Sequence, residues 1–248
     1  MDEFDVLIEF LNYPLGSGQG IIHRFAKIEG AVHRGEGSEQ FVYIAGKRKD
    51  RVLLVAHADT VWDENDAIVN PNDHTIIFNN GIISSVTPDV GIGADDRAGC
   101  AILWLLKNIG HSLLVTNGEE QGGLGSDFLM DHNADIAEEI NFSHRFAVQF
   151  DRMNGGDYKC YTVGSYDFRN YLDKETGYSE PDLCSYTDIV SLCRRITGVN
   201  LSIGYYDEHT ENERLVLNEW LHTLEISRRW LASDYLPLFL REESDGDK

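Results

Sequence analysis

Basic residues are scarce in this 248-residue chain: 21 Lys and Arg stand against 42 Asp and Glu, for a formal charge of -21. The surplus of carboxylates repels phosphate backbones and anionic lipid headgroups, which excludes nucleic acid and membrane surfaces as expected partners. Long apolar runs are missing as well. None approaches the roughly 18 residues of a membrane span, and the opening MDEFDVLIEF is acidic where a secretory signal is basic. The expected location is the cytoplasm. Cysteine is sparse: Cys100, Cys160, Cys184 and Cys193 form no CxxC pair and no zinc-finger spacing. That excludes a zinc ribbon and leaves reduced thiols, with Cys100 and Cys193 packed in helices. No internal repeat or low-complexity linker divides the chain. What is present, 42% hydrophobic and 10% aromatic residues, is enough for one full core. Residues 1–240 are expected to form a single domain without a lid or dimerisation domain, and residues 241–248, REESDGDK, a disordered acidic tail.

Periodicity supplies the architecture. Phe4, Val6, Leu7, Phe10 and Leu11 recur at helical spacing until Pro14 and GSGQG stop them. A weaker helix is expected over 21–30. Residues 40–46 and 51–60 read as strands with the basic turn KRKD between them, and Asn80-Gly81 lies between two β-rich runs as in a hairpin. Residues 65–90 otherwise form an unassigned insertion. Further on, the pattern predicts a buried helix over 95–110, a strand over 112–117, a short helix over 123–132 and a strand over 146–151. A helix over 186–197, a strand over 201–206 and a long helix over 212–231 complete it. Strands alternating with helices predict an α/β protein, a three-layer α/β/α sandwich with a mixed, mainly parallel central sheet.

The polar residues fall where such a sheet binds ligands. The run VLLVA leads into His57 and Asp59, SLLVTN into Glu119 and Glu120, FAVQF into Asp151, and LSIGYY is followed by His209. In open α/β sheets ligands gather at the carboxyl ends of the strands, so these residues are expected to converge. Histidines and carboxylates without a thiolate suit catalytic zinc, manganese or cobalt better than structural zinc. The adjacent Asp95 and Asp96 in GIGADDRAGC oppose each other's ionisation unless a positive charge sits beside them. One carboxylate bridging two cations resolves that conflict. Each residue also has an ordinary reading: His57 as a loop histidine, Glu119-Glu120 as an exposed turn, Asp151 as a helix cap. His209 precedes TENE, which has the form of a capping box for the last helix. The coincidence of all of them at strand ends favours a metal site.

The motifs AHADTV, GIGADDRAG, TNGEEQGGLGS, QFDR and EHTENE resemble, in this order, those of the zinc-dependent exopeptidases, the co-catalytic di-zinc enzymes of the aminopeptidase and carboxypeptidase superfamily. The resemblance runs from about residue 50 to residue 225. It implies two Zn²⁺ ions, with Co²⁺ or Mn²⁺ as substitutes, bridged by Asp95. His57 and Asp151 would complete one metal, Glu120 and His209 the other. It implies further that Asp59 orients His57, that Glu119 is the general base, and that the Asp95-Asp96 peptide is cis.

Lid-bearing members insert that domain between the ligands matched by Asp151 and His209, and the 57 residues from 152 to 208 leave no room for it. The resemblance therefore implies a compact aminopeptidase acting on peptides or small amides. Carboxypeptidase, N-acyl amino acid amidohydrolase and one-zinc glutaminyl cyclase activities stay open on the same scaffold, as does a non-catalytic binding module. A carboxypeptidase needs an arginine for the terminal carboxylate, for which Arg97, Arg152 and Arg169 are candidates. Phe168, Tyr171, Tyr205 and Tyr206 are candidates for an apolar specificity pocket or, alternatively, for core. Self-association is left open.

Overall fold

The computed structural model describes residues 2–64, 74–181 and 186–242. Helix α1 (Glu3–Leu11) starts at Asp2 with a capping box, Asp2 and Asp5 each accepting the other's backbone N–H. Helix α2 (Gln19–Ala26) and strands β1 (Ala31–Glu36), β2 (Glu39–Ile44) and β3 (Leu53–His57) follow. Strands β4 (Ile76–Asn79) and β5 (Ile82–Ser85) form the expected hairpin, with Asn80 and Gly81 both at positive φ, as such tight turns require. Next come α3 (Ala94–Leu106), β6 (Ser112–Thr116), α4 (Leu124–His132), α5 (Ala134–Ser143) and β7 (Ala147–Arg152). The chain continues through β8 (Tyr158–Lys159), α6 (Tyr166–Thr176), α7 (Asp188–Leu192) and β9 (Gly198–Ser202). Strands β10 (Tyr205–Tyr206) and β11 (Arg214–Val216) then lead into α8 (Leu217–Leu231).

Seven strands form the central sheet in the order β1-β2-β6-β3-β7-β9-β8. The inner four, β6, β3, β7 and β9, are parallel, and antiparallel pairs flank them. Side chains alternate between two cores. Leu54, Ala56, Leu113, Val115, Val148 and Phe150 face α1, α2, α3, α6 and α8, while Leu53, Val55, Leu114 and Ala147 face α4, α5 and α7. Covering both faces explains why β3 and β6 read as unbroken apolar runs. The fold is thus the mixed, mainly parallel α/β sandwich. A second sheet, β10-β11-β5-β4, carries the hairpin.

Several elements depart from the sequence pattern for identifiable reasons. The edge strand β1 escapes it because AVHRGE is half polar and its residues are half-buried or exposed. Helices α5 and α6 are rich in charge, so their apolar stripes are short. KRKD joins β2 to β3, yet these strands do not pair, because β6 inserts between them. The expected strand over 201–206 is split at Gly204, whose φ of 88° turns the chain from β9 in the large sheet to β10 in the small one. The helix expected over 186–197 is only five residues long, and the last helix begins at Leu217 because Arg214–Val216 pair with β5 instead. Cys100, Cys160 and Cys193 are free and buried. Cys184 and residues 243–248 of the expected tail lie outside the described residues. Among those residues no helix is long and apolar enough to cross a membrane.

Candidate metal centre

Four chain segments meet at the carboxyl edge of the parallel strands. His57 ends β3, Glu119 and Glu120 turn out of β6, Asp151 lies near the end of β7, and Asp95 opens α3. His209 arrives from beyond β10 at a φ of 62°, a conformation non-glycine residues rarely hold. Two donor triplets result, His57-Asp95-Asp151 and Asp95-Glu120-His209, each with its ligand atoms within 4.8 Å of one another. Asp95 is common to both. His57 Nε2 lies 3.2 Å from Asp95 Oδ1 and 3.4 Å from Asp151 Oδ1. His209 Nε2 lies 3.1 Å from Asp95 Oδ2 and 3.0 Å from Glu120 Oε2.

The local backbone explains the adjacent aspartates. Gly93 enters α3 at a φ of 62°, and a Cβ there would meet Leu15 Cδ2 at 2.7 Å, so only glycine fits the turn. Asp95 and Asp96 are joined by a cis peptide and both have non-helical dihedrals. Asp95 points to the two histidines. Asp96 points inward, where Oδ2 accepts the His57 N–H at 3.1 Å and Oδ1 accepts the Gly99 N–H at 3.1 Å. The second aspartate thus caps the helix and ties it to β3.

Asp59 is buried; its main-chain carbonyl hydrogen-bonds His57 Nδ1 at 3.2 Å with the carboxylate Oδ1 3.3 Å from the same nitrogen, and its Oδ2 accepts the Glu120 N–H at 3.1 Å. It holds the imidazole and the glutamate turn together. Asp151 is held in turn by Thr187 Oγ1 and Gln149 Nε2, which donate to Oδ2 at 2.7 and 3.0 Å. Glu119 stands behind, its Oε2 3.9 Å from His57 Nε2.

Electrostatics mark the same spot. Burial lifts Asp151 to about 7, the charge of Asp95 adding to it, and lifts Glu119 well above its ordinary value. Burial also works against ionisation of Asp95, yet the hydrogen bonds with His209 and His57 hold it below its usual range. Hydrogen bonds with Asp95 and Glu120 raise His209 to about 11. Carboxylates at such density call for cations. The donors fit that demand: three carboxylates crowd one His57 nitrogen, more than a single N–H serves, and Glu120 Oε1 is buried without a hydrogen-bond partner among the described residues. Nitrogen and oxygen donors of this kind suit zinc, manganese or cobalt.

The remaining candidates separate cleanly. Phe168 and Tyr171 are core: Phe168 packs 5.3 Å from Phe146, and Tyr171 accepts the indole N–H of Trp230 at 2.8 Å. Tyr205 reaches the centre and donates to Asp151 Oδ1 at 3.3 Å, whereas Tyr206 bonds Glu219. Arg97 is buried against the carbonyls of Tyr13 and Pro14, and Arg169 is paired with Glu180 at 2.6 Å. TENE is not a capping box, because α8 starts seven residues after Thr210. Its Glu213 instead accepts backbone N–H bonds from Ile92, Gly93 and Asp95 at 2.8, 2.7 and 3.1 Å. Sequence reasoning missed that role, and those of Thr187 and Gln149. The only signal was an acidic residue four positions after His209. The centre opens into a cavity of about 170 Å³ lined by Asp95, Glu119, Glu120, Asp151, Tyr205 and His209, among others.

No sequence-family profile and no curated protein matches the chain. Solved structures do. Aminopeptidase PepT from Bacillus cereus superposes with a TM-score of 0.64 at 13% identity, covering 94% of this chain and 98% of that one. A tripeptidase from Staphylococcus aureus gives 0.65 at 13% identity, covering 93% and 98%. The TET1 peptidase of Pyrococcus horikoshii, which assembles into a tetrahedron or an octahedral shell, gives 0.64 at 14% identity, covering 94% and 100%. The fold is shared with these peptidases.

Proposed function

We propose that this protein is a metal-dependent aminopeptidase with two zinc ions at its centre. The observation that carries the reading is the pair of donor triplets joined at Asp95 beside the buried Glu119. The peptidase folds of its structural neighbours support it, since aminopeptidases and a tripeptidase are among them. His57, Asp95 and Asp151 would hold one ion, and Asp95, Glu120 and His209 the other, with Asp59 fixing the His57 ring through Nδ1. When bound, such ions polarise a carbonyl and acidify water.

The chain's own residues do the rest. Glu119, whose carboxyl burial raises above its ordinary value, takes the proton from the attacking water through its carboxylate. It then returns that proton to the leaving amine as the amide bond breaks. Carboxylates around the centre provide acceptors for the α-ammonium of a peptide, which favours free amino termini. The test is release of free amino acids from unblocked peptides, with N-acetylated copies run beside them and zinc supplied. Cleavage of the unblocked set alone is expected. Cleavage confined to the acetylated set would move the assignment to an N-acyl amidohydrolase.

A further inference from the structure

Arg152 differs from the other two candidate arginines. It directly follows Asp151 at the end of β7, is 6% exposed, and lines the same cavity as Glu119 and His209. Its Nε donates to Asp157 Oδ1 at 2.8 Å and Tyr161 interacts with the guanidinium, while Nη2 is buried with no hydrogen-bond partner among the described residues. A buried donor left unpaired costs about 1–3 kcal/mol, and more on a charged group. Arg152 is also the one Lys or Arg among the described residues of the cavity wall. Four acidic members of that wall, Asp95, Glu119, Glu120 and Asp151, are occupied, on the reading above, with cations and proton transfer, and the fifth, Glu208, is left as an acceptor for the α-ammonium.

We propose that Arg152 is a specificity residue that binds a carboxylate of the substrate. Guanidinium presents parallel N–H donors that match a carboxylate, and in a desolvated pocket such a pair discriminates strongly against a neutral isostere. The cavity, about 170 Å³, is smaller than the ~300–1,000 Å³ of sites for drug-sized ligands. The carboxylate therefore lies within a residue or so of the scissile bond. Two sources meet that condition: the side chain of an acidic first residue, or the terminal carboxylate of a dipeptide.

This proposal rests on the peptidase reading, but its test reads binding independently of turnover. In Glu119→Gln protein supplied with zinc, calorimetric titration compares Glu-Gly-amide with Gln-Gly-amide, and Gly-Gly with Gly-Gly-amide. The carboxylate-bearing member of one pair is expected to bind about tenfold tighter or more, as for a hydrogen bond to a charged group, and the pair that shows the ratio identifies the source. Adding Arg152→Met should bring the ratio toward one. Arg152→Lys, which keeps the charge but not the fork, should leave part of it and serves where the Met variant does not fold by circular dichroism. Equal binding within both pairs, or a ratio that survives both substitutions, would overturn the proposal. If the ratio holds but unmodified protein hydrolyses none of the four peptides, the catalytic reading fails and the carboxylate site stands. Hydrolysis without the ratio keeps the catalytic reading and removes the carboxylate site.

Discussion

Two carboxylates adjacent in sequence, Glu119 and Glu120, differ in what they touch. Glu120 Oε2 lies 3.0 Å from His209 Nε2, whereas Glu119 approaches His57 Nε2 only to 3.9 Å. Both sit in the turn after β6, closed by the Gly122 N–H on the Glu119 carbonyl at 2.9 Å, and their side chains reach different partners, so one can ligate while the other faces substrate. Their substitutions should therefore separate. Glu119→Gln is expected to retain its metal by elemental analysis while turnover falls about 100- to 10,000-fold, the usual effect of losing a positioned general base. Near-normal turnover would contradict the role. Asp59 acts at one remove: its carboxylate Oδ1 lies 3.3 Å from His57 Nδ1, beside that nitrogen's hydrogen bond to the Asp59 main-chain carbonyl, which a side-chain substitution keeps. Asp59→Asn should weaken zinc affinity about 10- to 100-fold, measured by competition with a chelator, as for other partners of ligating histidines. Saturating zinc should recover much of the activity of Asp59→Asn and none of that of Glu119→Gln.

The loop carrying His209 and the turn that opens α3 are fastened to each other by Glu213. It is buried, and three backbone N–H groups converge on its carboxylate. Removing it leaves buried donors unpaired, at a cost of about 1–3 kcal/mol. Glu213→Ala should accordingly lower the thermal midpoint and weaken zinc binding, because Asp95 and His209 lose their common anchor; an unchanged zinc affinity would limit Glu213 to stability. This fastening also shows what the sequence could and could not disclose. The ends of β3, β6 and β7 were legible because each apolar run breaks abruptly at a polar residue, and a sheet covered on both faces leaves only its edges for chemistry. Glu213 was not, since its partner Asp95 is 118 positions away and nothing local marks the bond. Thr187, 36 positions from Asp151, is hidden for the same reason. Periodicity finds what an element does along itself. It is blind to hydrogen bonds that a side chain makes across the sheet edge, and to a short strand such as β11 that exists only by pairing.

Across the whole molecule, net charge and buried histidine set opposite demands on pH. The acidic surface is least charged near the low sequence pI of about 4.6, yet two imidazoles far from the metal centre resist acid. His111 joins three elements: its Nδ1 accepts the Val52 N–H at 3.2 Å, just before β3, and its Nε2 donates to the Leu231 carbonyl at 2.8 Å, at the end of α8. Protonating Nδ1 breaks the first bond. His144 is equally enclosed, with Nδ1 on the carbonyls of Glu139 and Ile140 and Nε2 2.7 Å from Ser112 Oγ. Burial lowers both to about 4 from an ordinary value of 6.5. Between those values the unfolded chain binds protons that the folded chain refuses, so this contribution to stability is complete above about pH 7 and is lost as pH falls to 4. Each histidine contributes on the order of 3 kcal/mol over that window at most. Urea unfolding of the chelator-treated protein from pH 7 to pH 4 should therefore show a falling free energy. In His111→Gln, which cannot titrate there, the fall should be shallower by the His111 share even though the variant is less stable at pH 7. Metal-site carboxylates are common to both proteins, so their titration cancels in the comparison, and equal slopes would mean that folding leaves the His111 pKa where it lies in the unfolded chain.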